Sequence, residues 1–322
     1  MMETRNRKVV AAKIISYIPS NQKTVPYLMD RFNLSRESVY RRMRGDIPFS
    51  FDEIVSLSVD LGFSLNDLVD DATDSTISFT LPAGTHTPPE ETYLRMMEMI
   101  YLPLINNPDY YPVELIITLN KLTAMLYPKH LHLLRFFYYE WMHQTQDMPF
   151  DFRYANVRLP DAVVELCNNI PRDRLQKTTT TFITEHDMVI NTMRKVEYFF
   201  RRGLITLEEF TDIKEDLADI IDQIERYISQ GVMMNGGELN FYLSLFDIPQ
   251  NSIYVDAGNQ ITTFFWIDAA NIVSTTNPRL CQLHKRWVES LKKYASYITK
   301  SNQVLQADFF EKQRKYLNSI TE

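Results

Sequence analysis

The chain of 322 residues holds only two cysteines, eight glycines and three tryptophans. Cys167 and Cys281 stand 114 positions apart, a spacing that suits neither a disulfide framework nor a paired metal motif. They read as small buried apolar groups. With glycine so scarce, no Gly-rich loop exists to cradle a nucleotide phosphate, and no nucleophile elbow appears. Long apolar runs are also missing. Met99 to Ile105 and Phe264 to Ile267 fall far short of the ~18 residues that suggest a membrane helix. The basic start leads into Val9 to Ile18, which lysine and serine interrupt, and no small-residue cleavage site follows. These absences argue against a membrane protein, a cofactor and an enzyme, and lead us to expect a cytoplasmic location.

What is present is an uneven distribution of charge. The total is −7, yet residues 5 to 44 carry ten basic side chains against Asp30 and Glu37, a local +8. Residues 45 to 70 carry six acids and no base, and residues 71 to 322 have 24 basic and 32 acidic residues. A positive patch of this kind attracts phosphate locally, whatever the sign of the whole.

The first 70 residues read as five short helices. Val9, Ala12, Ile14 or Ile15, and Ile18 form an apolar stripe on the first, which Pro19 stops. Thr24 is placed to cap a second helix over 25–32, with Pro26 in its first turn, where N–H groups lack helical partners anyway. Asn33 makes a turn, Ser35 caps a third helix ending near Arg44, and Gly45 suits a left-handed helix end. Ser50 with Glu53 forms a capping box for a fourth helix through Leu61, and Ser64 opens a short fifth. Residues 71–89 read as a linker. Prolines then divide a mainly helical stretch, in which Thr206 and Glu209 cap a long helix with a heptad seam. Over 239–268 the pattern changes to alternation and predicts a three-stranded antiparallel meander. Asn277-Pro278 starts a long helix to about Ile298, and a last helix follows from Gln306 to Leu317.

A helix that reads bases must expose polar side chains near its start and fit the major groove, about 12 Å wide. Arg36, Glu37, Tyr40 and Arg41 share one face of the third helix, while Leu34, Val39 and Met43 face inward. The segment Thr24-Val-Pro-Tyr-Leu-Met-Asp-Arg-Phe-Asn-Leu-Ser-Arg-Glu-Ser-Val-Tyr-Arg-Arg-Met-Arg-Gly45 resembles the phage-repressor-like, Xre-type helix-turn-helix family over residues 5–70, about a fifth of the chain. The resemblance implies base contacts by Arg36, Glu37, Tyr40 and Arg41 after the cap Ser35, and phosphate contacts by Thr24 and Arg44. Two positions depart from the family's habit, Met29 in place of alanine and Asn33 in place of glycine.

Other groupings carry less. Glu140 and His143 make half of a di-iron motif with no second copy, and His130 and His132 point to different sides of a helix. Glu185-His186-Asp187 does not converge on one point. The aromatic run Phe136, Phe137, Tyr138, Tyr139 and Trp141 reads as core, or as the lining of an effector pocket. The expected fold is mainly α: a five-helix DNA-binding domain (1–70), a linker (71–89), and a helical regulatory or dimerisation region (90–322) with a small three-stranded antiparallel sheet at about 239–268. The expected function is a DNA-binding transcription regulator that acts as a homodimer on double-stranded DNA, with a small-molecule or protein effector. The alternative is a protein-interaction adaptor whose helix-turn-helix unit no longer touches DNA.

Overall fold

The computed structural model describes residues 2–18, 22–61, 63–65, 68, 77–84, 86–105, 112–169, 177–234, 236–258, 260–267 and 271–320. The chain divides into two compact units, Met1–Ser78 and Phe79–Glu322.

In the first unit, helices α1 (Met2–Tyr17), α2 (Thr24–Phe32), α3 (Arg36–Met43) and α4 (Phe51–Leu61) surround a core that includes Ala11, Ile14, Leu28, Val39, Leu57 and Phe63. The buried stripe of α1 runs through Ala11, Ile14 and Ile18, and Ala12 is exposed, one position from the face expected. Residues 66, 67 and 69 of the expected fifth helix, and 71–76 of the expected linker, lie outside the described residues. Further on, Thr80 exchanges backbone hydrogen bonds with Ser274, so this part of the linker stretch belongs to the second unit.

The second unit is organised around one sheet. Helix α5 (Pro89–Ile105) leads to β1 (Val113–Leu119), then α6 (Leu131–Thr145), α7 (Asp161–Asn168) and β2 (Thr178–Thr184). Helices α8 (Met188–Arg201) and α9 (Leu207–Gln230) lead to β3 (Glu238–Leu243), followed by β4 (Ser252–Asp256), β5 (Ile261–Trp266) and β6 (Ile272–Thr275). Helix α10 (Pro278–Tyr294), β7 (Ser296–Tyr297) and α11 (Gln303–Ser319) complete the unit. The seven strands lie in the order β6-β5-β4-β1-β2-β3-β7. Strands β1, β2 and β3 are parallel, and β4, β5, β6 and β7 each pair antiparallel to a neighbour.

This sheet overturns the expectation of a helical region with a small three-stranded meander. Strand β3 does not pair with β4. It lies beside β2 and β7, while β4 inserts between β1 and β5. The central strands escaped notice for a physical reason. In Val113–Leu119 every residue but Glu114 is buried, because helices cover both faces of the sheet. A strand buried on both sides is a continuous apolar run that lacks alternation and cannot be told from a buried helix by period. Leu115, Ile117 and Phe182 join the large core on one face, whereas Ile116, Ile183 and Tyr254 meet Val288 and Leu291 of α10 on the other.

Local chemistry explains the helix ends. Thr206 and Glu209 cap α9 reciprocally, and the Asn277 side chain accepts from the N–H groups of Arg279 and Leu280 at the start of α10. The heptad face of α9, from Phe210 through Ile213, Leu217, Ile220 and Ile224 to Ile228, is buried inside the unit. That seam is therefore taken by the protein's own core. No helix among the described residues is long and apolar enough to cross a membrane.

Candidate nucleic-acid interface

The turn between α2 and α3 is made by the backbone. Asn33 has φ 50° and ψ 46°, the left-handed conformation, and its N–H bonds to the Met29 carbonyl, which also accepts from Leu34 N at 3.1 Å. Asparagine enters this region more easily than other non-glycine residues. Met29 is half-buried and packs against the unit's core. Ser35 caps α3 by accepting from Ser38 N at 3.3 Å. At the far end Gly45 has φ 75°, and a Cβ there would lie 2.7 Å from Lys8 Cγ and 3.0 Å from Lys8 N. Glycine thus lets α1 close against the end of α3.

The cap of α2 differs from expectation. Lys23 occupies the cap position with no side-chain cap hydrogen bond, and Thr24 is the first helical residue. The extended backbone of Lys23 starts the helix unaided, so Thr24 stands half-buried at the helix N-terminus.

Helix α3 is anchored by its inner side and by one arginine. Val39 is fully buried. Arg42 donates to Glu53 through Nε at 3.2 Å and Nη2 at 3.0 Å, and to Ser38 Oγ at 2.8 Å. Glu53 also accepts from Ser50 N at 2.8 Å while Ser50 Oγ accepts from Glu53 N at 3.1 Å. Both charged side chains are only 14% exposed. One carboxylate therefore caps α4 and clamps α3 to it, a bidentate geometry that guanidinium favours. Arg31 of α2 likewise reaches Ser56 Oγ at 2.8 Å and pairs with Asp60, both on α4. Of the two, Asp60 also acts on Tyr27, whose hydroxyl is buried without a partner and whose pKa rises first through burial and then through that carboxylate. The Arg42 clamp went unread because its partners are eleven positions apart, beyond any helical spacing.

The opposite side of α3 faces outward. Arg36, Glu37, Arg41 and Arg44 are exposed and Tyr40 half-buried. At ~100° per residue these five positions span about 140° of arc, one coherent face. Arg36 lies over the Tyr40 ring, 5.7 Å from its centroid, with Nη2 3.5 Å from the hydroxyl. Arg44 is held by Asp46 at 3.0 Å and by Glu37 at 3.5 Å. The Arg41 side chain has no hydrogen bond or ion pair among the described residues. Three guanidinium groups, one carboxylate and a phenol on a single exposed face can donate to and accept from base edges and phosphates.

The other groupings are dispersed. Glu140 pairs with Lys195, whereas His143 lies 3.3 Å from the Phe152 carbonyl. His130 and His132 meet Asp219 and Asp212 of α9. Glu185 accepts from Ile248 N at 2.6 Å, and Asp187 pairs with Lys312. No group of three or more His, Cys, Asp or Glu side chains among the described residues is arranged to hold a metal ion.

A buried relay not anticipated from sequence crosses the second unit's sheet. Thr118 Oγ1 lies 2.7 Å from Ser252 Oγ, which lies 2.8 Å from His284 Nε2, and His284 Nδ1 lies 3.1 Å from Thr263 Oγ1. Burial lowers the pKa of His284 to about 4, so its imidazole is neutral at physiological pH. The third partner is a threonine hydroxyl, which does not stabilise an imidazolium as the carboxylate of a catalytic triad does. Compared with protein-family models, characterised proteins and solved structures, the chain matches none.

Proposed function

We propose that this chain is a sequence-specific DNA-binding regulator of transcription with an Xre-like, phage-repressor-like helix-turn-helix in its first unit. Helix α3 enters the major groove, where Arg36, Glu37, Tyr40 and Arg41 read bases. Thr24 and Arg44 meet phosphates. The observation that carries this reading is the outward face of α3, which gathers these groups on a helix clamped from behind by Arg42 and Glu53. A cytoplasmic location and a homodimer belong to the same reading, since one small module recognises few base pairs and two-fold symmetry doubles the contacts. The second unit then serves sensing or dimerisation.

The test is selection of duplexes from a random pool by the full-length protein, followed by titration of selected and scrambled sequences. Arg36→Ala or Arg41→Ala is expected to narrow the gap between them by roughly 1–3 kcal/mol. Equal loss on both duplexes contradicts base reading. An absence of duplex affinity at low salt favours the second reading, a protein-interaction adaptor. That reading is supported by Phe51 and Val59, which are 71% and 78% exposed along one side of α4.

A further inference from the structure

A cavity of about 60 Å³ lies between α5, α6 and the end of the sheet. Lys121 and Thr123 reach it just after β1, Asn251 just before β4, and Trp266 at the end of β5. This is the carboxyl end of the parallel strands. Here the strand order departs in opposite directions, β2 on one side of β1 and β4 on the other. Open α/β sheets bind ligands outside the carboxyl ends of their parallel strands, and the segment entering the antiparallel β4 meets the segment leaving β1 at that end.

Two atoms give the cavity its chemistry. Among the described residues Thr123 Oγ1 and Trp141 Nε1 are buried with no hydrogen-bond partner, and both residues line this space. Thr123 is 3% and Trp141 4% exposed. An indole N–H can only donate, and a buried donor left unmatched is costly to the fold, so this indole lacks an acceptor. Much of the remaining wall is apolar, with Tyr93, Met97, Ile100 and Phe137. Glu140 is also in the wall, already engaged by Lys195 and by Gln144 at 2.9 Å. Lys121 lines the same wall, so the lining carries one charged side chain of each sign. An ionic ligand would give up its hydration in this largely apolar surround, whereas a neutral one would not. The cleft of about 330 Å³ beside Ser252 and His284 is different, because those polar atoms are bonded to each other.

We propose that this cavity binds a small neutral carbonyl compound, whose oxygen accepts hydrogen bonds from Trp141 Nε1–H and the Thr123 hydroxyl. A carbonyl oxygen has two lone pairs, one for each donor. At ~10–15 Å³ per enclosed water-sized site, the space suits a group of about four heavy atoms, the size of acetamide. The site stands whether or not the first unit binds DNA, and its test reads the cavity directly.

The test is a titration of ¹⁵N-labelled full-length protein with acetamide and, separately, with acetate. Three tryptophans give three indole signals, and Trp141→Phe identifies the relevant one. Acetamide is expected to move the Trp141 indole proton downfield with saturation. Acetate is expected to bind at least about fivefold more weakly. Thr123→Val should weaken acetamide binding about fivefold or more, while Thr123→Ser, which keeps the hydroxyl, should retain it. An unsaturable drift, or no movement, means the cavity holds water alone and overturns the proposal. Tighter binding of acetate than of acetamide overturns the neutral class.

Discussion

The two units place their polar chemistry on opposite sides of their surfaces. Every buried polar or charged residue among the described residues belongs to the second unit, among them Thr118, Glu140, Thr192, Ser252, His284 and Gln313. The buried residues of the first unit's core are apolar, and its charged groups lie at or near the surface, where they clamp helices or face outward. A buried polar group needs a partner of its own, so the second unit specifies its interior through relays and cavities. The first unit specifies an exterior. A surface that reads and an interior that holds are different demands, and the sequence met them with different residue types.

The largest expected effect tests the interior. The pKa of His284 lies near 4 in the folded protein against 6.5 for the free side chain, through burial. The unfolded chain therefore binds the extra proton first as pH falls. Stability from this group is complete above about pH 6.5 and is lost towards pH 4, by about 3 kcal/mol in all. All three tryptophans, Trp141, Trp266 and Trp287, lie in the second unit, so fluorescence-monitored urea unfolding reports on it alone. His284→Asn should flatten the profile between pH 6.5 and 4.5 relative to wild type. An unchanged slope would sink the assignment.

The clamp in the first unit comes next. Glu53→Ala strands Arg42, which is only 14% exposed, and removes a capping box. The expected cost is about 2–3 kcal/mol. Glu53→Gln keeps part of the cap and should cost less. Amide hydrogen exchange in α3 and α4 measures both, and identical exchange in wild type and Glu53→Ala would show that the ion pair contributes nothing. A smaller effect is expected at the turn. Asn33→Ala forces a Cβ-bearing residue without a compensating side chain into φ 50° and should cost about 1 kcal/mol, whereas Asn33→Gly should be close to neutral.

How much of this was legible follows from distance along the chain. The caps at Ser35, Ser50, Thr206 and Asn277 join residues two or three apart, so spacing alone displays them. The exposed face of α3 follows from helical period. Strand order does not, because β4 passes over its chain neighbour β3 to pair with β1, more than a hundred residues earlier. Thr178 to Thr184 did carry a signal, a run of β-branched residues that favours strand, set within a stretch whose prolines suggested broken helices. The relay from Thr118 to His284, and the meeting of Thr123 with Trp141 at one cavity, depend on that nonlocal pairing and left no pattern in sequence.

The smallest effect separates the arginines of α3 from one another, and it bears on whether the outward face reads DNA. Each phosphate neutralised by a cation contributes about −0.9 to the slope of log affinity against log salt. The Arg41 side chain has no partner among the described residues, so Arg41→Gln removes a charge that was available to DNA. Because Arg41 is assigned to a base, its loss should fall mainly on the selected sequence, with a change in slope of less than about 1. Arg44 is already neutralised by Asp46 and Glu37. Moving it to a phosphate exchanges one ion pair for another and releases two carboxylates towards the DNA. Arg44→Gln should therefore change the slope by less than half as much as Lys23→Gln, whose ammonium has no partner among the described residues beside the start of α2. If Arg44→Gln gives the larger change, the Glu37–Arg44–Asp46 cluster opens on binding, and Glu37 is then free to accept from a base rather than hold an arginine.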